Sequence, residues 1–96
     1  MIWKFHARTI REEHAAEHAA NELNHQFPRF EEAYRALQWL LARKCDTIRC
    51  KYRIVNNVKY HLYVQAPNPL AKTPWIAVVF TYDDDMVNII DIMAGH

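Results

Sequence analysis

The stretch TIRCKYRIVNNVKYHLYVQ (residues 47–65) alternates charged or polar residues with apolar ones on both sides of Asn56-Asn57. Side chains of a β-strand point to opposite faces with a period of two, and turn-forming residues between two such runs are typical of a β-hairpin. The sequence therefore predicts two strands joined at Asn56-Asn57. We expect a cationic, hydrogen-bonding strip on one face of this hairpin and an apolar strip on the other. The polar strip consists of Arg49, Lys51, Arg53, Lys59, His61, Tyr63 and Gln65.

Length and composition indicate one globular domain covering residues 1–96. The chain is 51% hydrophobic and 24% charged, and it is long enough to bury a core without a metal or a disulfide. The apolar run at residues 76–80 is far shorter than the ~20 residues that a membrane span requires. The N-terminus lacks a signal-peptide pattern, so we expect a cytoplasmic protein with no membrane contact. Cys50 alternates with apolar neighbours and is expected to be a buried, reduced thiol.

The formal net charge of +1 conceals a gradient along the chain. Residues 45–65 contain four basic and one acidic residue, whereas residues 66–96 contain one basic and four acidic residues. The positive field is therefore concentrated on the first hairpin. A patch of this size suits a specific phosphate-bearing ligand, but it is too small for nonspecific coating of DNA.

The N-terminal half predicts two helices. Thr9 is a suitable N-cap with Glu12 three residues later, as in a capping box, so the first helix is expected to extend to about residue 25. Residues 2–5 alternate weakly and predict a strand that adds to the sheet. Pro28 is acceptable at the start of the second helix, which ends at Arg43-Lys44. Its apolar stripe consists of Phe30, Ala33, Tyr34, Leu37, Leu40 and Leu41.

The C-terminal half predicts a second hairpin, with strands at residues 75–82 and 86–93 and a turn of three aspartates between them. Both faces of the first of these strands are largely apolar, so we expect it to be central. The loop at residues 66–74 contains three prolines, which separate the hairpins. The predicted fold is α+β, with two N-terminal helices packed on an antiparallel sheet of four to five strands.

The segment IAVVFTYDDDMVNIIDIM (residues 76–93) resembles the closing hairpin of the RelE/ParE superfamily of small bacterial toxins, and the order of elements resembles that family's fold. The resemblance implies a toxin of a toxin–antitoxin system that is inhibited by a bound antitoxin peptide. In the RelE branch it implies cleavage of ribosome-bound mRNA by basic and aromatic residues of the sheet, and in the ParE branch an action on gyrase. The arginine that this family often carries after the aromatic residue is replaced here, because Ile76-Ala77 follow Trp75.

The polar strip contains the residue types that RNA cleavage requires. Attack by the 2′-hydroxyl needs a general base, cations for the growing phosphate charge and a proton donor for the leaving oxygen. The predicted catalytic residues are His61, Arg53 and Lys51. The predicted nucleic-acid contacts are Arg49, Lys51, Arg53, Lys59 and Tyr63, and the resemblance adds His96 as a substitute for a C-terminal histidine or tyrosine. We expect no cofactor.

Two alternatives remain open from the sequence. In the first alternative, the protein is a noncatalytic, phage- or plasmid-borne protein-binding module, in which the sheet face and Trp39 contact another protein. Trp39 lies off the apolar stripe of its helix, whereas Trp3 and Trp75 are more typical of a core or an interface. Alternating cations on an exposed strand also protect its edge from aggregation without any further function.

The segment HAAEH (residues 14–18) fits the HxxEH pattern of inverted zinc proteases. Histidines at i and i+4 share a helix face, and His25 lies two turns after His18 on nearly the same face. A metalloprotease also needs a third ligand on a distant element and a substrate cleft. The motif alone does not define a zinc site. We therefore interpret this segment as part of an ordinary solvated helix, and we expect no catalytic metal.

Overall fold

A computed structural model describes residues 7–96 of the chain. Its elements are β1 (Thr9–Glu12), α1 (His14–Gln26), α2 (Phe30–Lys44), β2 (Lys51–Val55), β3 (Val58–Gln65), β4 (Trp75–Tyr82) and β5 (Met86–Gly95). The five strands form one sheet in the order β1-β5-β4-β3-β2. The strand predicted at residues 2–5, and Trp3 within it, lie outside the described residues. The α+β class, the two helices and the central position of β4 are confirmed.

The core lies between the two helices and one face of the sheet, which we call the helix face. Buried side chains of α1 and α2 form a single cluster with alternate residues of β4 and β5. Each fully buried aliphatic or aromatic side chain contributes about 1.5–3 kcal/mol to folding. The members of this cluster are Ala16, Phe30, Ala33, Tyr34, Leu37, Leu41, Cys45, Ile76, Val78, Phe80, Val87, Ile89 and Ile92. We call the opposite face of the sheet the open face.

The first described strand corrects two predictions. Residues Thr9–Glu12 are extended and pair with β5 in parallel, so the sheet is mixed and not antiparallel throughout. Thr9 is not a helix cap, because its backbone N–H donates to Asp85 O at 2.9 Å and α1 begins only at His14. Pairing with β5 satisfies this backbone, and it also brings Ile10 against the core. These tertiary contacts outweigh the local capping signal.

A hydrogen bond between distant residues fixes α2 against β1. The phenol of Tyr34 donates to Glu12 Oε2 at 2.5 Å, and burial together with this contact raises the pKa of Tyr34. Glu12 is half-buried and Tyr34 is buried. A bond to a charged acceptor contributes about 1.5–3 kcal/mol, so this pair helps to set the position of the helix on the sheet.

The β2–β3 hairpin closes through a two-residue turn. Asn56 and Asn57 have φ values of 51° and 65°, and the flanking Val55 and Val58 pair with each other. Two consecutive residues with positive φ are the signature of a type I′ turn, whose twist matches that of the two strands. Asparagine tolerates this left-handed conformation better than other residues with a side chain. The hairpin predicted from residues 47–65 is therefore confirmed, with its turn at the predicted residues.

Replacing Asn57 with valine should destabilise this turn. A β-branched residue in the left-handed region costs roughly 1–2 kcal/mol, so we expect the free energy of unfolding to fall by about that amount. Urea denaturation followed by circular dichroism measures it. The matched control is Asn57→Gly, which we expect to keep or raise the stability because glycine adopts positive φ freely. Equal stability of the two variants would contradict the type I′ assignment.

Candidate binding site

The polar strip predicted from the sequence is divided between the two faces of the sheet. Directly paired residues of an antiparallel ladder share a face, and here Tyr52 pairs with His61 and Arg53 with Tyr60. Lys51 and Arg53 therefore lie on the open face, whereas His61 lies on the helix face. The expectation of a single cationic face was wrong, because a two-residue turn pairs each odd position of β2 with an even position of β3.

The open face of the hairpin forms a concavity of about 510 Å³, which we call the hairpin concavity. Its lining combines two cations, two tyrosines, a histidine and a floor of aliphatic side chains, with no acidic residue among the described residues that border it. The residues that border it are Lys51, Tyr52, Arg53, Val55, Tyr60, His61, Leu62 and Val79. The register directs the side chains of Tyr52 and His61 to the helix face, so the other six residues supply the open-face side chains.

The two cations of the hairpin concavity are available to a ligand. Lys51 and Arg53 are exposed, and neither forms an ion pair with a carboxylate in the described part of the chain. Arg49 is exposed as well and precedes β2 on the same chain segment. Arginine binds phosphate or carboxylate in a bidentate manner, and lysine adds a point charge. This surface can therefore bind an anion that also carries a flat or apolar group.

The predicted site residues on the helix face have structural contacts instead. The Lys59 ammonium lies 4.2 Å from the centre of the Tyr52 ring, and Tyr63 packs against the core cluster. The Gln65 side-chain amide donates to Ala33 O at 3.1 Å, which fixes β3 to α2. The structure thus brings together Lys51 and Arg53 on the open face but separates Lys59 and Tyr63 from them.

His61 is part of an aromatic cluster. Its ring stacks on Phe80 with centroids 5.3 Å apart and lies 4.9 Å from the ring of Tyr82. Burial, together with the positive charge of Lys59, lowers the pKa of His61. The imidazole is therefore neutral at pH 7, and it lies on the opposite face from Arg53 and Lys51, the other two residues of the predicted catalytic set.

The lowered pKa of His61 predicts a pH-dependent stability. The unfolded chain binds a proton more readily than the folded one, so this contribution is complete above the ordinary histidine pKa of about 6.5 and is lost as the pH falls toward the lower folded value. Urea denaturation at pH 7.5 and pH 5 measures the loss. A His61→Gln variant, which cannot be protonated, should lose less stability between the two pH values than the wild type. An identical loss in both proteins would contradict the assignment.

The histidines of α1 do not assemble into a metal site. His14, His18 and His25 are exposed. His18 Nε2 lies 3.4 Å from Glu22 Oε1, and His25 Nδ1 lies 2.7 Å from Asn21 O. No group of three or more potential ligands is placed to hold a metal ion anywhere in residues 7–96.

The remaining tryptophan, cysteine and histidine side chains within residues 7–96 lie outside the hairpin concavity. The ring of Trp39 is 56% exposed and is covered on one side by the Arg43 guanidinium, 4.4 Å from its centre. Trp75 lies beside Gly95, where an added Cβ would be only 2.7 Å from the indole. Cys45 is buried and Cys50 is half-buried, and both are free thiols. The ring of His96 lies edge-on to Phe27 at 5.1 Å.

The sequence interpretation missed the open-face residues Tyr60, Leu62 and Val79. The alternation places Tyr60 and Leu62 on the apolar strip of the predicted hairpin, whereas the two-residue turn places Tyr60 beside Arg53 and Leu62 beside Lys51. The signal that could have found them is the number of turn residues. A second cleft, of about 220 Å³ between α1 and α2, contains the bonded Glu12–Tyr34 pair, and Arg35 on its lining pairs with Glu31.

Comparison with protein-family models, with curated proteins and with solved structures finds no match to this chain. None of the helices in residues 7–96 is long and apolar enough to cross a membrane. The candidate site is therefore defined by geometry and charge alone.

Proposed function

We propose that this protein is a toxin-like protein of a bacterial toxin–antitoxin system and that it binds RNA through the hairpin concavity. The observation that carries the proposal is the position of Lys51 and Arg53 beside Tyr60, over an apolar floor in which no carboxylate competes for the cations. The order of elements, a strand and two helices followed by four strands, supports the toxin-like part of the proposal.

Single-stranded RNA has the chemistry that this surface accepts. Its phosphates pair with cations, and its unstacked bases stack on aromatic side chains at about 1–3 kcal/mol per base. Arg53 and Lys51 supply the first contact and Tyr60 the second. Leu62 and Val79 provide apolar surface beneath a stacked base. Ribosome-bound mRNA presents such single-stranded segments and is the proposed target.

The proposed action is binding, and His61 has no catalytic role in it. A general base must reach the proton that it removes, at about 2.6–3.2 Å or through one water. His61 and Arg53 lie on opposite faces of the sheet, so one bound phosphate would not meet both side chains. An antitoxin peptide with acidic residues would inhibit the protein by covering Lys51 and Arg53.

A noncatalytic protein-binding module is the second candidate. The observation that favours it is the apolar character of the open face beyond the hairpin concavity, where Val64 is 56% and Met93 is 45% exposed. Exposed apolar side chains grouped on one surface are typical of protein interaction sites. This candidate predicts no RNA binding.

Removal of Lys51 and Arg53, the two cations of the hairpin concavity, should weaken RNA binding and its dependence on salt. Each phosphate contact to a single strand contributes about 0.7 to the slope of log K against log salt, so Lys51→Ala/Arg53→Ala should reduce this slope by about 1.4. Fluorescence anisotropy with a labelled oligouridine, titrated at several salt concentrations, measures both quantities. Lys59→Ala is the control, because it removes a cation of the same hairpin from the opposite face. Equal losses in both variants would show that net charge, and not the open face, determines binding.

Expression in bacteria tests the toxin-like part of the proposal. We expect tightly induced wild-type protein to arrest growth, because it occupies RNA that the cell requires. An equally abundant Lys51→Ala/Arg53→Ala variant should not arrest growth, whereas His61→Gln should arrest it like the wild type. Growth curves together with immunoblots of the soluble fraction give the result. Arrest that is lost only in His61→Gln would instead support a catalytic mechanism.

A further inference from the structure

One row of paired residues crosses four strands on the open face. Lys51 pairs with Leu62, Leu62 with Val79, and Val79 with Asp91. The row therefore begins with a cation on β2, passes over two aliphatic side chains and ends with a carboxylate on β5. Neighbouring strands lie about 4.8 Å apart, so the ends of the row are about 14 Å apart, too far for an ion pair within one chain.

This row is complementary to itself. A two-fold axis that runs parallel to the strands, between β3 and β4 and above the open face, places the row of a second copy over it in the opposite direction. Lys51 then faces Asp91 of the second copy, and Asp91 faces Lys51 of the second copy. Leu62 faces Val79 of the second copy at the centre. Each copy thus contributes one partner to each of two identical ion pairs.

We propose that the open face binds a second copy of this chain and forms a two-fold symmetric dimer with its sheets face to face. The charge pattern selects this occupant, because a second copy supplies both charges in the required order. The flanking row adds apolar surface from Val64 on β3 and Met93 on β5, which both pair with Ala77 on β4. An apolar centre with charged residues at its rim is the usual anatomy of a specific interface.

The size of the face agrees with a reversible dimer. The axis between β3 and β4 places the four strands β2 to β5 over those of the second copy. At about 4.8 Å each, these strands are about 19 Å wide together, and a strand of eight residues such as β4 is about 27 Å long. Two such faces together bury about 1,000 Å², which is the lower limit for a specific interface. Stacked sheets lie about 10 Å apart, a distance that interdigitated leucine and valine side chains fill. The dimer therefore forms and dissociates with protein concentration.

Self-association and RNA binding exclude each other, a consequence that rests on the proposed function. Lys51 belongs both to the ion pair of the dimer and to the hairpin concavity. The monomer is then the RNA-binding form, and the dimer is a form in which the cations are occupied. The dimer itself follows from the row of charges and does not depend on RNA.

A charge swap tests the dimer. Sedimentation velocity over a concentration series is measured for the full chain and for Lys51→Asp, Asp91→Lys and the double variant Lys51→Asp/Asp91→Lys. Each single change turns both ion pairs into repulsions, so the dissociation constant should rise about tenfold or more. The double variant restores both pairs with the charges exchanged, and its dissociation constant should return to within about threefold of the wild type.

Two controls separate the possible results. Lys59→Asp makes the same change on the helix face and should leave the dissociation constant unchanged, and circular dichroism confirms the fold of each variant. A wild type that stays monomeric at all concentrations, or a double variant no better than the single ones, overturns the dimer and leaves the face to a different partner. The double variant also lacks the Lys51 cation. If it forms the dimer like the wild type but binds RNA more weakly, the two proposals are tested independently of each other.

Discussion

The two-residue turn at Asn56-Asn57 determines which side chains of the hairpin meet the helices. With Val55 opposite Val58, the numbers of every pair in this ladder add to 113, so an odd residue of β2 always shares its face with an even residue of β3. One further turn residue would exchange the faces of a whole strand. The turn therefore places Lys51 and Arg53 with Tyr60 on the open face, and it places His61 with Tyr52 on the helix face.

The helices cover only one face of the sheet, and this gives the two halves of the polar strip different roles. On the helix face the polar groups are used for structure: Gln65 bonds to the backbone of α2, and His61 packs between aromatic rings. On the open face Lys51 and Arg53 have no carboxylate partner within residues 7–96. Charges without internal partners retain their full affinity for an external one, so function is expected on this side.

Periodicity in the sequence was sufficient for most elements. The 3.6-residue stripe of α2, the alternation around Asn56-Asn57 and the central β4 could all be predicted, because local pattern and tertiary burial agree there. The split of the polar strip could also have been predicted, since the two turn residues were visible. The strand at Thr9–Glu12 could not, because the same residues form a good capping box and only pairing with β5 decides between the two. The Glu12–Tyr34 bond joins residues 22 positions apart and has no local signal.

The β-bulge between Val79 and Phe80 resolves a conflict within the sequence of β5. Val87 and Ile89 face the core at odd positions, whereas Ile92 and Ala94 face it at even positions, so a regular strand cannot bury both pairs. Without the bulge, Asp91 would lie opposite the fully buried Val78, and an unpaired carboxylate there would cost several kcal/mol. With the bulge, Ile92 lies opposite Val78 and Asp91 lies opposite Val79 on the open face. The irregularity that completes the core is therefore also the one that sets a carboxylate in line with Lys51, so the hydrophobic packing of one face determines the charge pattern of the other.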